Sequence, residues 1–194
     1  MDLNKIDKPT LVLDERICRE NIQRMAEKAN HCGTFFRPHF KTHQSAVIGE
    51  WFKEHGVGAI TVSSFQMARY FARAGWTDVT VAFPFYPANL ECANDLSAKI
   101  GLNLLLVNLE SLLFLKRHLE NPVNFFIEID TGYHRSGISW DNTGLIENMV
   151  QESKNSLLKF KGFLVHDGQT YHAKSRDEVL QMHLDSKRKM NTLK

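Results

Sequence analysis

The sequence predicts an α/β domain built on a parallel sheet, and within that class a closed (β/α)8 barrel of the TIM type. Three observations carry the prediction. Short, nearly unbroken apolar runs alternate with amphipathic stretches of helical period, which is how strands covered on both faces read. Glycines punctuate the returns between them. Polar, chemically versatile residues gather just past the C-terminal ends of the runs, the edge where barrel active sites lie.

Taken in order, Thr10–Leu13 and Glu15–Asn30 read as an extra strand and helix ahead of the barrel. The barrel strands are expected at Thr34–His39, Ala59–Ser63, Asp78–Phe83, Leu102–Asn108, Val123–Asp130 and Lys159–His166. Helices are expected over Gln44–Glu54, opening after His43, over Phe65–Arg73 after Ser64, and over Leu109–Leu119 after Asn108. Ser and Asn at helix starts supply side-chain oxygens for backbone N–H groups that have no intrahelical partner. Gly56, Gly75 and Gly101 are expected to close helices. An open nucleotide-binding sheet should carry a glycine-rich turn after its first strand, and no such turn occurs here. Closure needs eight strands, whereas about six are counted and the chain ends inside the helical stretch Asp177–Lys194. The expectation is therefore one domain over 1–194, a barrel cut short after about six strands, with its last strands and any C-terminal domain outside the chain.

Composition narrows the function classes. Hydrophobic residues make up 43% and charged residues 24% of the 194, with a net charge of +2, as in an ordinary globular protein. The basic residues are scattered, too weak a field to argue for nucleic acid or a membrane surface as partner. Met1–Lys5 has no apolar stretch behind a basic region, and Leu104–Val107 is far too short to cross a bilayer. Cys18, Cys32 and Cys92 have no metal-ligand spacing and are odd in number, which fits buried or half-buried thiols in the cytoplasm.

Three clusters could carry chemistry. Arg37-Pro38-His39-Phe40-Lys41-Thr42-His43 sets a lysine at a strand end between two histidines. Desolvation or neighbouring cations make a lysine nucleophilic enough to form a Schiff base with a carbonyl. Glu128 to Gly137 ends a strand in two glycines and a concentration of polar groups, where backbone can approach a ligand and Arg135 offers a fixed charge. Gly162 to Tyr171 places His166 after an apolar run and follows it with a small Gly-Gln-Thr-Tyr loop, a source of backbone and hydroxyl donors. His166 and Asp167 are adjacent, so their side chains diverge if the strand persists, and they are not read as a dyad. Taken singly, each cluster also reads as a solvated loop.

These clusters, preceded by Pro9-Thr10-Leu11-Val12-Leu13-Asp14 and occurring in this order over nearly the whole chain, resemble the D-threonine aldolase and D-serine dehydratase family. The N-terminal domain of that family is the alanine racemase-type pyridoxal 5'-phosphate (PLP) barrel. The Arg-Pro-His-x-Lys-Thr-His segment is the most specific part of the likeness. The resemblance implies that Lys41 holds PLP as an imine and is the catalytic residue. It implies that Arg135 faces the pyridine nitrogen and that Tyr171 lies by the cofactor, with His39, His166 and Gln169 nearby. An always-charged arginine there would leave the ring a milder electron sink than an acidic partner would.

The function so implied is a PLP-dependent lyase acting on β-hydroxy D-amino acids, by aldol cleavage or by dehydration. The family also uses a divalent metal held by a C-terminal β-domain, so no metal ligand is assigned within this chain, and homodimers are expected. Two alternatives stand beside it: an amino-acid racemase on the same barrel, whose second base would lie outside the chain, and a non-catalytic PLP-binding fragment.

Overall fold

In a computed structural model that describes residues 5–193, the apolar runs do form one parallel sheet. Met1–Asn4, read above for a leader, and Lys194 lie outside the described residues. Strands β1 (Ile60–Val62), β2 (Asp78–Pro84), β3 (Gly101–Leu106) and β4 (Val123–Asp130) pair in that order. The short β5 (Ile138–Ser139) and the long β6 (Leu158–Val165) both pair with β4. Every ladder is parallel, which obliges the chain to cross back over the sheet between strands.

Of the helices α1 (Glu15–His31), α2 (Ala46–Lys53), α3 (Phe65–Arg73), α4 (Leu90–Ser97), α5 (Leu109–His118), α6 (Thr143–Ser153) and α7 (Arg176–Asn191), α3 to α6 supply the returns between strands, while α1 and α2 precede β1 and α7 follows β6. From Leu102 to Leu106 every residue of β3 is buried, because the strand has neighbours on both edges and side chains over both faces. Ser64 and Asn108 cap α3 and α5 as expected, accepting from the N–H groups of Met67 and Ser111. Left-handed Gly56 and Gly75 follow α2 and α3.

Several expectations need correction. Thr34–His39 is not a strand: it makes a single parallel bridge, His39 to Thr61, with the Thr61 N–H donating to the Pro38 carbonyl at 2.8 Å. Pro38 has no N–H to continue a ladder, and the chain turns at once into the 3-10 helix Phe40–Thr42. Thr10–Leu13 makes no strand either, and Leu11 is 93% exposed. Gln44 adopts a left-handed φ of 49°, so α2 starts at Ala46 with Ser45 as its cap. Gly101 closes no helix but opens β3, donating to the Thr77 carbonyl. Cys32 is exposed, whereas Cys18 and Cys92 are half-buried. Helices α4 and α6 and strand β5 were not anticipated.

Below the C-terminal end of β1 lies the packing that positions Lys41. Phe40 is fully buried, its ring 5.1 Å from that of Trp76, 4.9 Å from Phe71 and 5.0 Å from Phe52. Edge-to-face rings at such spacing add to simple area burial. Arg37 is held by a fork to Asp78, at 2.8 and 2.9 Å, and Asn103 donates to the same carboxylate at 2.7 Å. The 37–42 segment is thus pinned to β2 and β3 on one side and to the aromatic core on the other. Phe40→Ala is expected to cost about 3–5 kcal/mol of stability, read from urea unfolding midpoints.

Candidate active site

Lys41 stands in the middle of the 3-10 turn whose first residue is Phe40. The turn is capped by its own neighbour: His39 Nδ1 accepts the Lys41 backbone N–H at 3.2 Å. An accepting Nδ1 leaves the ring proton on Nε2. Burial, then the positive charge of Lys41 and the proximity of His166, pushes the His39 pKa down to about 4. His39 is therefore a neutral side chain at pH 7. His43, the other flanking histidine, takes no part in the cleft. Its ring lies 4.5 Å from Phe40 and its Nδ1 accepts the Ser45 N–H, so it belongs to the aromatic core.

The turn borders a cleft of about 620 Å³ at the C-terminal ends of the strands, lined by Lys41, His39, Ser63, Glu128, Arg135 and His166 among others. Arg135 arrives on the loop after β4, which Asp130 shapes. One oxygen of Asp130 accepts the N–H groups of Gly132 and His134 at 2.8 and 3.1 Å, and the other meets His134 Nδ1 at 2.9 Å. Burial pushes the Asp130 pKa up, but these contacts outweigh it and hold it below its usual value. Gly137 closes the loop at a φ of 104°, where an added Cβ would come within 2.9 Å of the Asp130 nitrogen. Only glycine satisfies both demands.

His166 ends β6 on the opposite wall. Burial first, then the charges of Arg135 and Lys41, lowers its pKa. Its ring stands edge-on to Tyr133 at 5.5 Å and to Tyr171 at 5.9 Å.

Of the residues expected to form the site, Lys41, His39, Arg135 and His166 line this one cleft. Gln169 does not line it. Its Nε2 donates to Asp167 and to Ser186, both at 3.2 Å, so it braces α7. Tyr171 is 70% exposed on the 3-10 turn Gly168–His172 and does not line the cleft; its ring stands edge-on to His166 and to Tyr133. Arg37, the cation expected to act on Lys41, lines the cleft but is bound to Asp78. Glu128 opened the second cluster but was assigned no role. It is buried at 2% exposure, its Oε1 accepts from Ser136 Oγ at 2.9 Å, and Arg135 Nη2 stands 3.9 Å away. Its signal in the sequence was a lone charge between Ile127 and Ile129.

The lowered histidines have a thermodynamic consequence. Between the ordinary histidine value near 6.5 and about 4, the unfolded chain binds protons that native His39 refuses. Stability from this group is therefore intact above about pH 6.5 and is lost as pH falls towards 4. His39→Asn keeps a side-chain acceptor for the turn and is expected to flatten the fall in melting temperature between pH 7 and 4.5, measured by circular dichroism.

A parallel α/β sheet presenting a lysine at the C-terminal strand ends defines the class: a barrel-type α/β scaffold with a lysine on the rim of its cleft. The family follows from comparison. The chain belongs to the family described as alanine racemase, N-terminal domain, whose model matches residues 13–192. It is 28% identical over 203 residues to a D-serine dehydratase of Dictyostelium discoideum, an alignment covering 96% of this chain and 51% of that protein. It is 30% identical over 171 residues to the D-threo-3-hydroxyaspartate dehydratase of Delftia sp. strain HT23, covering 86% and 45%. The solved structure of the latter superposes with a TM-score of 0.89 at 27% identity over 95% of this chain and 50% of that one. D-threonine aldolase from Filomicrobium marinum shares the fold at a TM-score of 0.89 and 22% identity. The chain spans about half the length of the relatives it matches.

Proposed function

We propose that this chain carries the cofactor-bearing lysine of a PLP-dependent lyase acting on β-hydroxy D-amino acids. The observation that carries the reading is the placement of Lys41: a lysine on a turn fixed by a buried ring, opening into a cleft shared with Arg135 and His166. The residues fit the cofactor. Its aldehyde needs a primary amine, its anionic oxygens need cations and N–H donors, and the cleft of about 620 Å³ is within the range of small-molecule sites.

When bound, PLP supplies the electron sink for losing a bond at or beside Cα of an amino acid. The chain's own residues would do the rest. Lys41 Nζ would be the primary amine that holds the aldehyde carbon. Arg135, always charged and half-exposed, would receive an anionic group. His39, neutral, would offer Nε2–H without adding a third charge beside Lys41 and Arg135. Two relatives named as dehydratases of D-configured amino acids support the substrate class.

A divalent metal near the substrate hydroxyl belongs to the same proposal. A variant of the Delftia dehydratase has been solved in a metal-free form, and among the described residues here no three His, Cys, Asp or Glu side chains stand together as a metal site. Homodimers and a cytoplasmic location remain part of the reading; among the described residues no helix is long and apolar enough to cross a membrane.

The test is chemical. The protein incubated with PLP and reduced with borohydride should carry a pyridoxyl group on Lys41 by peptide mass spectrometry, and Lys41→Ala should carry none. With D-serine or D-threonine the PLP-loaded protein should release a keto acid or an aldehyde, at background level in Lys41→Ala. Chiral chromatography showing only inversion of D-alanine or D-serine would make it a racemase instead. No adduct on Lys41 would overturn the reading.

A further inference from the structure

We propose that Phe83 sets the substrate specificity of this cleft: its ring is the apolar wall against which an uncharged side chain of the amino acid rests, so that amino acids with a second carboxylate are disfavoured. The inference rests on the function just proposed and narrows the substrate class of the same site.

Phe83 reaches the cleft through an irregularity in β2. Thr80 pairs with Asn103 and Pro84 with Leu105, so four steps along β2 match two along β3. A regular strand points successive side chains to opposite faces, yet Ala82, Phe83 and Pro84 all line the cleft. Extra residues in one strand of a pair re-aim side chains in this way, and Pro84 has no N–H with which to continue the ladder. Pairing resumes at once, with the Phe85 N–H donating to the Leu105 carbonyl at 2.9 Å. The two rings of this segment therefore part. Phe85 turns into the core, its ring 6.4 Å from both Phe65 and Phe114. Phe83 stays 64% exposed on the cleft wall, where its ring can cover the apolar surface of a ligand.

The cleft has two unlike walls. Ala82, Phe83, Pro84 and Leu105, on β2 and β3, offer only apolar side chains. Glu128, Arg135, Ser136 and His166, around the ends of β4 and β6, carry polar groups, with Leu164 and Val165 beside them. A carboxylate brought against an apolar wall loses hydration and needs a cation to offset the loss. Among the described residues the arginines and lysines bordering the cleft are Arg37, Lys41 and Arg135, and none serves the Phe83 wall. Arg37 forks onto Asp78, which opens β2 five residues before Phe83, roughly 16 Å away by strand rise. Lys41 is committed to the cofactor aldehyde under the proposed function. Arg135 belongs to the polar wall, on the loop after β4. The carboxylate and side chain of an amino acid diverge from Cα. With the first met at Arg135, the second is directed at the opposite wall, where an uncharged group is covered and a second carboxylate goes unpaired.

The experiment titrates the PLP-loaded protein with D-2-aminobutyrate and with D-aspartate, each followed by the change in cofactor absorbance on binding. Neither has a β-hydroxyl to lose, and they differ by a methyl against a carboxylate on Cβ. Wild type should bind D-2-aminobutyrate about tenfold more tightly than D-aspartate. Phe83→Leu should keep that ratio, because it keeps an apolar wall. Phe83→Ala should lose about threefold in affinity for D-2-aminobutyrate and little for D-aspartate. Phe83→Arg should reverse the preference by supplying the missing cation. All three variants should keep the borohydride-stable adduct on Lys41, since position 83 is exposed and outside the core. Equal wild-type affinity for the two amino acids, or a ratio that Phe83→Arg leaves unchanged, would overturn the inference and leave the proposed function standing. An equal loss for both amino acids in Phe83→Ala would also overturn it, as a purely structural effect. A wild-type protein that forms no adduct on Lys41 would remove the functional reading itself and this inference with it.

Discussion

The burial of Phe40 is the constraint on which the rest of the site depends. A lysine on an ordinary loop samples many backbone positions, and its amine has no defined neighbours. Here the preceding ring is locked among Trp76, Phe71 and Phe52, and the turn is too short to let Lys41 move independently of it. Gly49 shows how close the fit is: a Cβ there would come within 3.2 Å of both the Phe40 ring and the Trp76 indole nitrogen. Hydrophobic packing thus places a polar atom, because the covalent chain between them is one residue long.

Electrostatics then decides what the cleft can receive. Five basic side chains border it, Arg37, His39, Lys41, Arg135 and His166, yet they do not act as five charges. Arg37 is committed to Asp78, and burial with neighbouring cations drives both histidines towards their neutral forms. Lys41 and Arg135 remain, with Glu128 buried on the β4 wall. A site so arranged attracts an anion at Arg135 while keeping uncharged donors beside the lysine. Burial does most of this for both histidines, and the neighbouring cations add to it, since each added charge makes the next proton harder to hold.

Within the third cluster, His166 lines the cleft while Asp167 and Gln169 brace α7. Asp167 accepts from Ser186 Oγ at 2.6 Å and from Gln169 at 3.2 Å, and Ser186 meets Thr131 Oγ1 at 2.9 Å. Lys189 adds a bond to the Thr131 carbonyl at 2.7 Å. Together they strap α7 across the C-terminal ends of β4 and β6, beside the loop that carries Arg135. These side-chain and backbone bonds tie α7 to the strand ends and make it a support for that loop, although Gln169 Oε1 is left buried without a partner.

Much of this was legible in the residues alone. The apolar runs of β2, β3 and β4 declared a parallel sheet covered on both faces, because such burial leaves little polar alternation along the strand. Ser64 and Asn108 declared helix starts, because capping is local chemistry. Lys41, His39, Arg135 and His166 were found as candidates because strand ends with dense polar residues are unusual, and tertiary structure brings all four to one cleft. What local signals could not settle was partnership. Thr34–His39 has strand composition but meets Pro38 and only one bridging partner; Gln169 has the right neighbours in sequence but is claimed by Ser186 on α7. Glu128 stood at the head of the second cluster, but only folding showed it buried beside Arg135. Sequence by itself determined the class of fold and where reactive side chains congregate, since both follow from periodicity and local composition. Only the tertiary structure decided which charges are spent on each other and which are left for a ligand, since that depends on residues far apart in the chain.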